Sequence, residues 1–222
     1  MSRPSTESLL TELARELRPV RPIPRLGVAA LAVLAAWAVA VGLSWGLGGV
    51  RPRLAEPGGL ADPVFASIFA ALGIAALGGV IGGLARAVPG RESLARVGMA
   101  ALALGFTGVV IAAAFGSFPI EAGAAPSPSR TLGCVVHSLL LGVAPALLGF
   151  AWLARAFEPR PVLGAGVAGL AAAALGAFAV HASCITGNGL HMLVGHGLGP
   201  AAVAALIAWR ASVWIAARAA SA

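Results

Sequence analysis

Six stretches of about 20 residues contain no Asp, Glu, Lys or Arg, at 26–47, 63–85, 97–116, 131–154, 162–183 and 190–209. A helix rises about 1.5 Å per residue, so each run can cross a hydrocarbon core about 30 Å thick. In lipid a lone segment must satisfy its own backbone N–H and C=O groups, which leaves the α-helix as the answer for runs of this length. The composition agrees: 59% of residues are hydrophobic and 10% charged, where an ordinary soluble domain has roughly a quarter charged. The expected fold class is all-α, an integral membrane bundle of six transmembrane helices with a cytoplasmic amphipathic helix before it. Short connections rich in Pro, Gly and Arg predict one bundle over 26–222, with 1–25 as amphipathic helix and Pro-rich junction.

All 15 basic residues are arginine and the formal net charge is +7. In a soluble chain this would suggest nucleic acid, but these arginines flank apolar runs and no basic cluster is interleaved with aromatics, so no direct nucleic-acid contact is expected. Short cytoplasmic loops retain positive charge. With the N-terminus inside, twelve arginines fall in inner segments and only Arg51, Arg53 and Arg130 in outer ones. The bias predicts a multi-pass membrane protein with both termini cytoplasmic. Trp152, Trp209 and Trp214 then sit at the inner interface and Trp45 at the outer one. No cleavable signal peptide is expected, because the first 25 residues are polar and include Glu7, Glu12 and Glu16. Glycines at 73, 78, 79, 82 and 83, and at 164, 166 and 169, read as helix-packing surfaces and not as a phosphate cradle.

The fourth and fifth runs form an antiparallel pair about a short inner loop near Glu158. Cys134 and Cys184 are placed almost symmetrically about that loop, which brings both thiols to the outer end of the pair. His137 is three residues after Cys134 and His181 three before Cys184, so helical spacing would put each on the face of its cysteine. His191 and His196 open the sixth run at the same outer end; five apart, they cannot share one α-helical face, so one at most is expected to take part. Thiolate and imidazole suit zinc, cadmium or copper-type ions. The expected sensor thiols are therefore Cys134 and Cys184, and the candidate metal ligands are those cysteines with His137, His181, His191 and His196. Simple packing of the cysteines between helices, or a disulfide, competes with this reading. No obligatory cofactor is expected, only a transient heavy-metal ion.

The runs hold no Asp or Glu, so an intramembrane proton or cation relay lacks its usual parts. There is no CxxC, and a Ser/His/Asp arrangement would have to borrow an acid from Glu56, Asp62 or Glu121. An enzyme is not expected. A small metal-ion transporter or a membrane thiol-redox protein is the alternative function; a transport path would rest on hydroxyls such as Thr107 and Ser138.

In SLLTELARELRPVRPIPR, residues 8–25, Leu9, Leu10, Leu13 and Leu17 share one face of a helix, with Arg15 and Arg18 among the polar residues. Pro19, Pro22 and Pro24 then end the helix and stiffen the entry to the first run. Such a stripe docks in a partner's groove or lies on membrane lipid; three glutamates among five arginines favour a protein partner.

Taken together, LLTELARELRPVRPIPR, the six short spans, LGCVVHSLL opening the fourth run, and GLAAAALGAFAVHASC before GLHMLVGHGLG resemble the NrsF family of bacterial six-helix membrane anti-sigma factors. The resemblance spans nearly the whole chain. It implies a protein that holds an extracytoplasmic-function sigma factor inactive at the inner membrane and releases it under heavy-metal stress. It also implies that Cys134 and Cys184 are the sensing thiols. Assigning Leu9, Leu10, Leu13, Leu17, Arg15 and Arg18 to the sigma-binding surface follows from the leucine stripe. The sequence does not specify an oligomeric state.

Overall fold

The computed structural model describes residues 25–48, 60–115, 127–154, 160–184 and 188–220. Among these residues there are no strands. The long helices are α1 (Leu26–Gly48), α2 (Pro63–Arg86), α3 (Glu92–Phe115), α4 (Pro128–Leu153) and α5 (Pro161–Ser183). A sixth, α6, begins as Gly189–His191, passes through a π-helical stretch at Met192–Leu198 and continues as Gly199–Ala220. All six are long and apolar enough to cross a membrane. The predicted N-terminal helix, with Leu9, Leu10, Leu13, Leu17, Arg15 and Arg18, lies outside the described residues.

Local chemistry sets the helix starts. Asp62 caps α2, its carboxylate accepting from the backbone N–H of Val64 at 2.9 Å and of Phe65 at 3.1 Å, and Pro63 fills the first position, where no N–H is needed. Pro128 and Pro161 do the same for α4 and α5. The largest departures from the expected boundaries are in α3 and α6. α3 starts at Glu92, ahead of 97, with the Glu92 carboxylate accepting from the N–H of Gly90 at 3.1 Å. An acid in a first turn suits the helix dipole, so the charge that ended the apolar run does not end the helix. α6 likewise runs past Trp209 through Arg210 to Ala220. Between α2 and α3 the chain reverses through Gly90, whose φ of 76° a side chain would strain.

Small side chains decide which helix is central. The α5 stretch GAGVAGLAAAALGAFAV presents little but glycine and alanine, so α2, α4 and α6 can pack around it at short range. Its membrane-length window is 67% buried, against 17% for α1 on the periphery. A methyl built on Gly142 of α4 would lie 2.6 Å from the carbonyl oxygen of Ala172 in α5, and one on Gly176 of α5 would collide with the carbonyl of Ser138 in α4. Between α2 and α3 the same closeness recurs, with a methyl on Gly105 only 2.5 Å from the Ala71 carbonyl. Larger residues lock these contacts. The Trp37 indole N–H donates to the Leu175 carbonyl at 2.9 Å, tying α1 to α5, and that of Trp152 donates to the Leu84 carbonyl at 3.3 Å, tying α4 to α2.

Successive helices run antiparallel, so the last turns of α1, α3 and α5 share one end of the bundle with the first turns of α2, α4 and α6. Contacts of Ser44 with His137, Phe65 with His181 and Thr131 with His191 all fall there. This end holds every cysteine and histidine of the chain.

Candidate metal centre

Cys134 sits on α4 about 9 Å along the axis from Pro128, taking the rise per residue of a regular helix. Cys184 follows the last residue of α5 with extended backbone, φ −77° and ψ 129°, its N–H bonded to the His181 carbonyl at 3.3 Å. Asn188 then starts α6, its side-chain oxygen accepting from the N–H of Leu190 at 2.9 Å and of His191 at 3.2 Å. Three elements thus supply one cluster.

The ligand atoms of Cys134, Cys184, His191 and His196 all lie within 4.8 Å of one another. His191 is at the middle: its Nε2 lies 3.6 Å from the Cys134 sulfur, 3.4 Å from the Cys184 sulfur and 3.3 Å from His196 Nε2. With Zn–S near about 2.3 Å and Zn–N about 2.0–2.1 Å, the edges of a tetrahedron come to roughly 3.3 Å between nitrogens and roughly 3.5 Å between nitrogen and sulfur. The three observed spacings have those lengths. Both cysteines are half-buried and form no disulfide, whereas both imidazoles are buried, so access is from the sulfur side.

Two expectations about the histidines are corrected by this geometry. The first is that His191 and His196 could not share a face. That rule holds for 3.6 residues per turn, but Met192–Leu198 is π-helical, and the i to i+5 repeat of a π-helix sets residues five apart one above the other. The rings stand edge-on, with centroids 5.2 Å apart. Glycines let this wider turn fit, since a methyl on Gly195 would lie 3.3 Å from Cys134 Cβ and one on Gly197 only 2.9 Å from Val109.

The second is that His137 and His181 would join the cysteines three residues away. His137 Nε2 instead hydrogen-bonds the Ser44 hydroxyl of α1 at 2.9 Å. His181 faces α2, stacked on Phe65 at 4.4 Å between centroids, with Nε2 3.0 Å from the Phe65 carbonyl. A carbonyl only accepts, so His181 Nε2 carries a hydrogen and has no lone pair to give. The i, i+3 argument failed at Cys184 because the helix ends at Ser183, which turns the thiol away from the α5 face that carries His181. His181 still flanks the cluster, its ring edge-on to His196 at 5.3 Å.

Sequence reading missed Thr131, whose hydroxyl is 2.9 Å from His191 Nδ1. It lies three residues before Cys134, so the spacing that was applied to His137 in the forward direction would have found it in the backward one.

All four grouped ligands are nitrogen or sulfur, a donor set that suits zinc, cadmium or copper(I) and not magnesium or calcium. Two thiolates would cancel the charge of a divalent ion, which lowers the cost of holding it beside apolar helices. Ligation requires both thiols to lose their protons, so affinity falls as pH falls.

The NrsF family model, described as negative regulator of sigma F, matches residues 13–216, nearly the whole chain. Neither the curated proteins nor the solved structures provide a match.

Proposed function

Since the chain belongs to the NrsF family of negative regulators of sigma F, we propose that it is an anti-sigma factor of the bacterial inner membrane that holds an extracytoplasmic-function sigma factor and releases it when Cys134 and Cys184 take up a heavy-metal ion. The observation that carries the sensing half is the convergence of two thiols and two imidazoles from α4, α5 and α6 on one point. A disulfide would use the thiols alone and give the buried histidines no part.

In the proposed topology the cluster faces the periplasm, and the N-terminal leucine stripe, Leu9, Leu10, Leu13 and Leu17, grips the sigma factor in the cytoplasm with Arg15 and Arg18 beside it. Ion binding draws the first turns of α4 and α6 toward the end of α5. Below the cluster, Gly142 and Gly176 hold α4 and α5 backbone to backbone. A displacement above that contact rocks the helices about it and moves their opposite ends. For the ion to act as a switch it must prefer one arrangement, and a 100-fold preference corresponds to about 2.7 kcal/mol.

A transporter is less well supported, since Thr107 is exposed on α3 while Ser138 is buried between α4 and α5, so these hydroxyls line no common path. We assign no catalytic residue.

Affinity purification of the intact protein in mild detergent tests the reading. A sigma factor should accompany the protein, should be lost when residues 1–18 are deleted, and should be retained after cadmium exposure by a Cys134→Ser, Cys184→Ser variant. Retained binding without residues 1–18 would remove the docking assignment, and cadmium release from the double variant would remove the sensing one.

A further inference from the structure

His191 and His196 are both buried and both reach the centre of the cluster through Nε2, yet their outer nitrogens differ. His196 Nδ1 has no hydrogen-bond partner among the described residues. His191 Nδ1 lies 2.9 Å from the hydroxyl of Thr131, and that hydroxyl is in turn 3.4 Å from the carbonyl of Ser127. Both contacts are hydrogen bonds at once only when the Thr131 hydrogen goes to Ser127, whose carbonyl can only accept, and the oxygen lone pairs are left for the imidazole. Nδ1 must then be the nitrogen that carries hydrogen, and Nε2 presents a bare lone pair to both sulfurs and to His196.

We propose that Thr131 is a positioning residue of the metal centre: it holds His191 as the Nδ1–H tautomer with Nε2 aimed inward, making His191 the anchoring ligand for a zinc-group ion. This inference rests on the metal-binding reading given above. Outer partners of this kind fix both the ring orientation and the tautomer of a ligating histidine, and their loss costs about 10–100-fold in metal affinity. Thr131 does so from the first turn of α4, one helical turn before Cys134. One short stretch of α4 therefore supplies both a sulfur ligand and the group that orients the nitrogen ligand. His196, with no such partner, is the weaker of the two imidazoles.

The position is also suited to a hydroxyl and to little else. Thr131 is half-buried at the head of α4, and its contact to the Ser127 carbonyl is the local i−4 bond that serine and threonine make to the backbone. Serine preserves both bonds; valine keeps the shape and removes both.

The test uses the full-length protein in detergent, with Co²⁺ and Cd²⁺ as the probes. Thr131→Val should weaken both ions about 10–100-fold, and Thr131→Ser should restore affinity to within a few-fold of the parent. Nitrogen NMR of ¹⁵N-histidine-labelled protein without metal supplies a readout that a merely structural role would not move. His191 should show the Nδ1–H tautomer in the parent and in Thr131→Ser, and lose that preference in Thr131→Val. An Nε2–H tautomer in the parent, or equal affinity in Thr131→Val, would overturn the role of Thr131 while leaving the metal centre standing. Failure of the parent to bind either ion at micromolar concentration would instead overturn the metal reading and this inference together, and the tautomer measurement tells the two failures apart.

Discussion

Along α2 and α3, glycines at 78, 82, 98 and 105 bring two backbones into contact over several turns, and the seam they form has no polar side chain buried in it. At the Cys/His end, glycines at 195 and 197, and Gly199 just after them, also press against neighbours, here Cys134, Val109 and Val135, but they do so on and beside a π-helical turn that carries two imidazoles inward. The first arrangement is all contact: without a hydrophobic drive between helices in lipid, close packing of small residues is what holds the pair. The second gives up regular hydrogen bonding to place His191 and His196 in one site. The same residue type therefore serves cohesion in one place and shapes a candidate metal site in the other, and the two regions should fail independently when altered.

Removing the thiols should have the largest effect on the Cys/His end. Cys134→Ser with Cys184→Ser should cost more than the 10–100-fold expected of an outer-shell change, measured by competition with a chelating dye, and should leave the thermal unfolding midpoint of the metal-free protein little altered. His191→Ala comes next, and His196→Ala should cost less than His191→Ala, because only His191 has its second nitrogen held. Equal losses would erase that distinction.

On the other seam, Gly98→Val drives a side chain into the backbone of Gly82. Overpacking of this kind costs about 1–3 kcal/mol, visible as a lowered unfolding midpoint in detergent, with ligand number at the Cys/His end unchanged in the folded fraction. Loss of the metal centre in folded Gly98→Val protein would show that the regions are coupled after all. The effect of pH is graded: each thiol that is protonated in the free protein contributes up to about tenfold per pH unit, so affinity should drop as pH is lowered from 8 to 7 and should be flatter in a single cysteine variant. The smallest effect is expected for His137→Ala, which removes the bond to Ser44 and costs about 0.5–1.5 kcal/mol of stability, with metal affinity unchanged.

The difference between the regions is also a difference in what a sequence reveals. Six charge-free runs were enough to place six helices, because length and apolarity are properties of a segment by itself. Gly78, Gly79, Gly82 and Gly169 were legible as packing positions for the same reason, whereas Gly166 has open space beside it and Gly98 and Gly105 were not singled out. Gathering of Cys134, Cys184, His191 and His196 at one end followed from topology, since antiparallel helices bring alternate termini together. What topology does not supply is the direction of a side chain at a helix end. Cys184 lies one residue beyond α5, so the helical rule paired it with His181 when its thiol in fact meets His191. The five-residue spacing in HMLVGH argued against a shared face only as long as the turn was α-helical, and nothing in the residue types demanded a π-turn there. Helix ends at 92 and 220 were likewise hidden, because charge stops an apolar run without stopping a helix.

Adding Cd²⁺ to the detergent-solubilised complex and following release of the co-purified sigma factor decides whether the Cys/His cluster is the switch. The parent complex should discharge its partner at cadmium concentrations that occupy the site. The Cys134→Ser, Cys184→Ser and His191→Ala complexes should hold theirs. Discharge from all of these complexes at the same cadmium concentration would contradict the account, since it would place the switch somewhere other than the cluster that α4, α5 and α6 build.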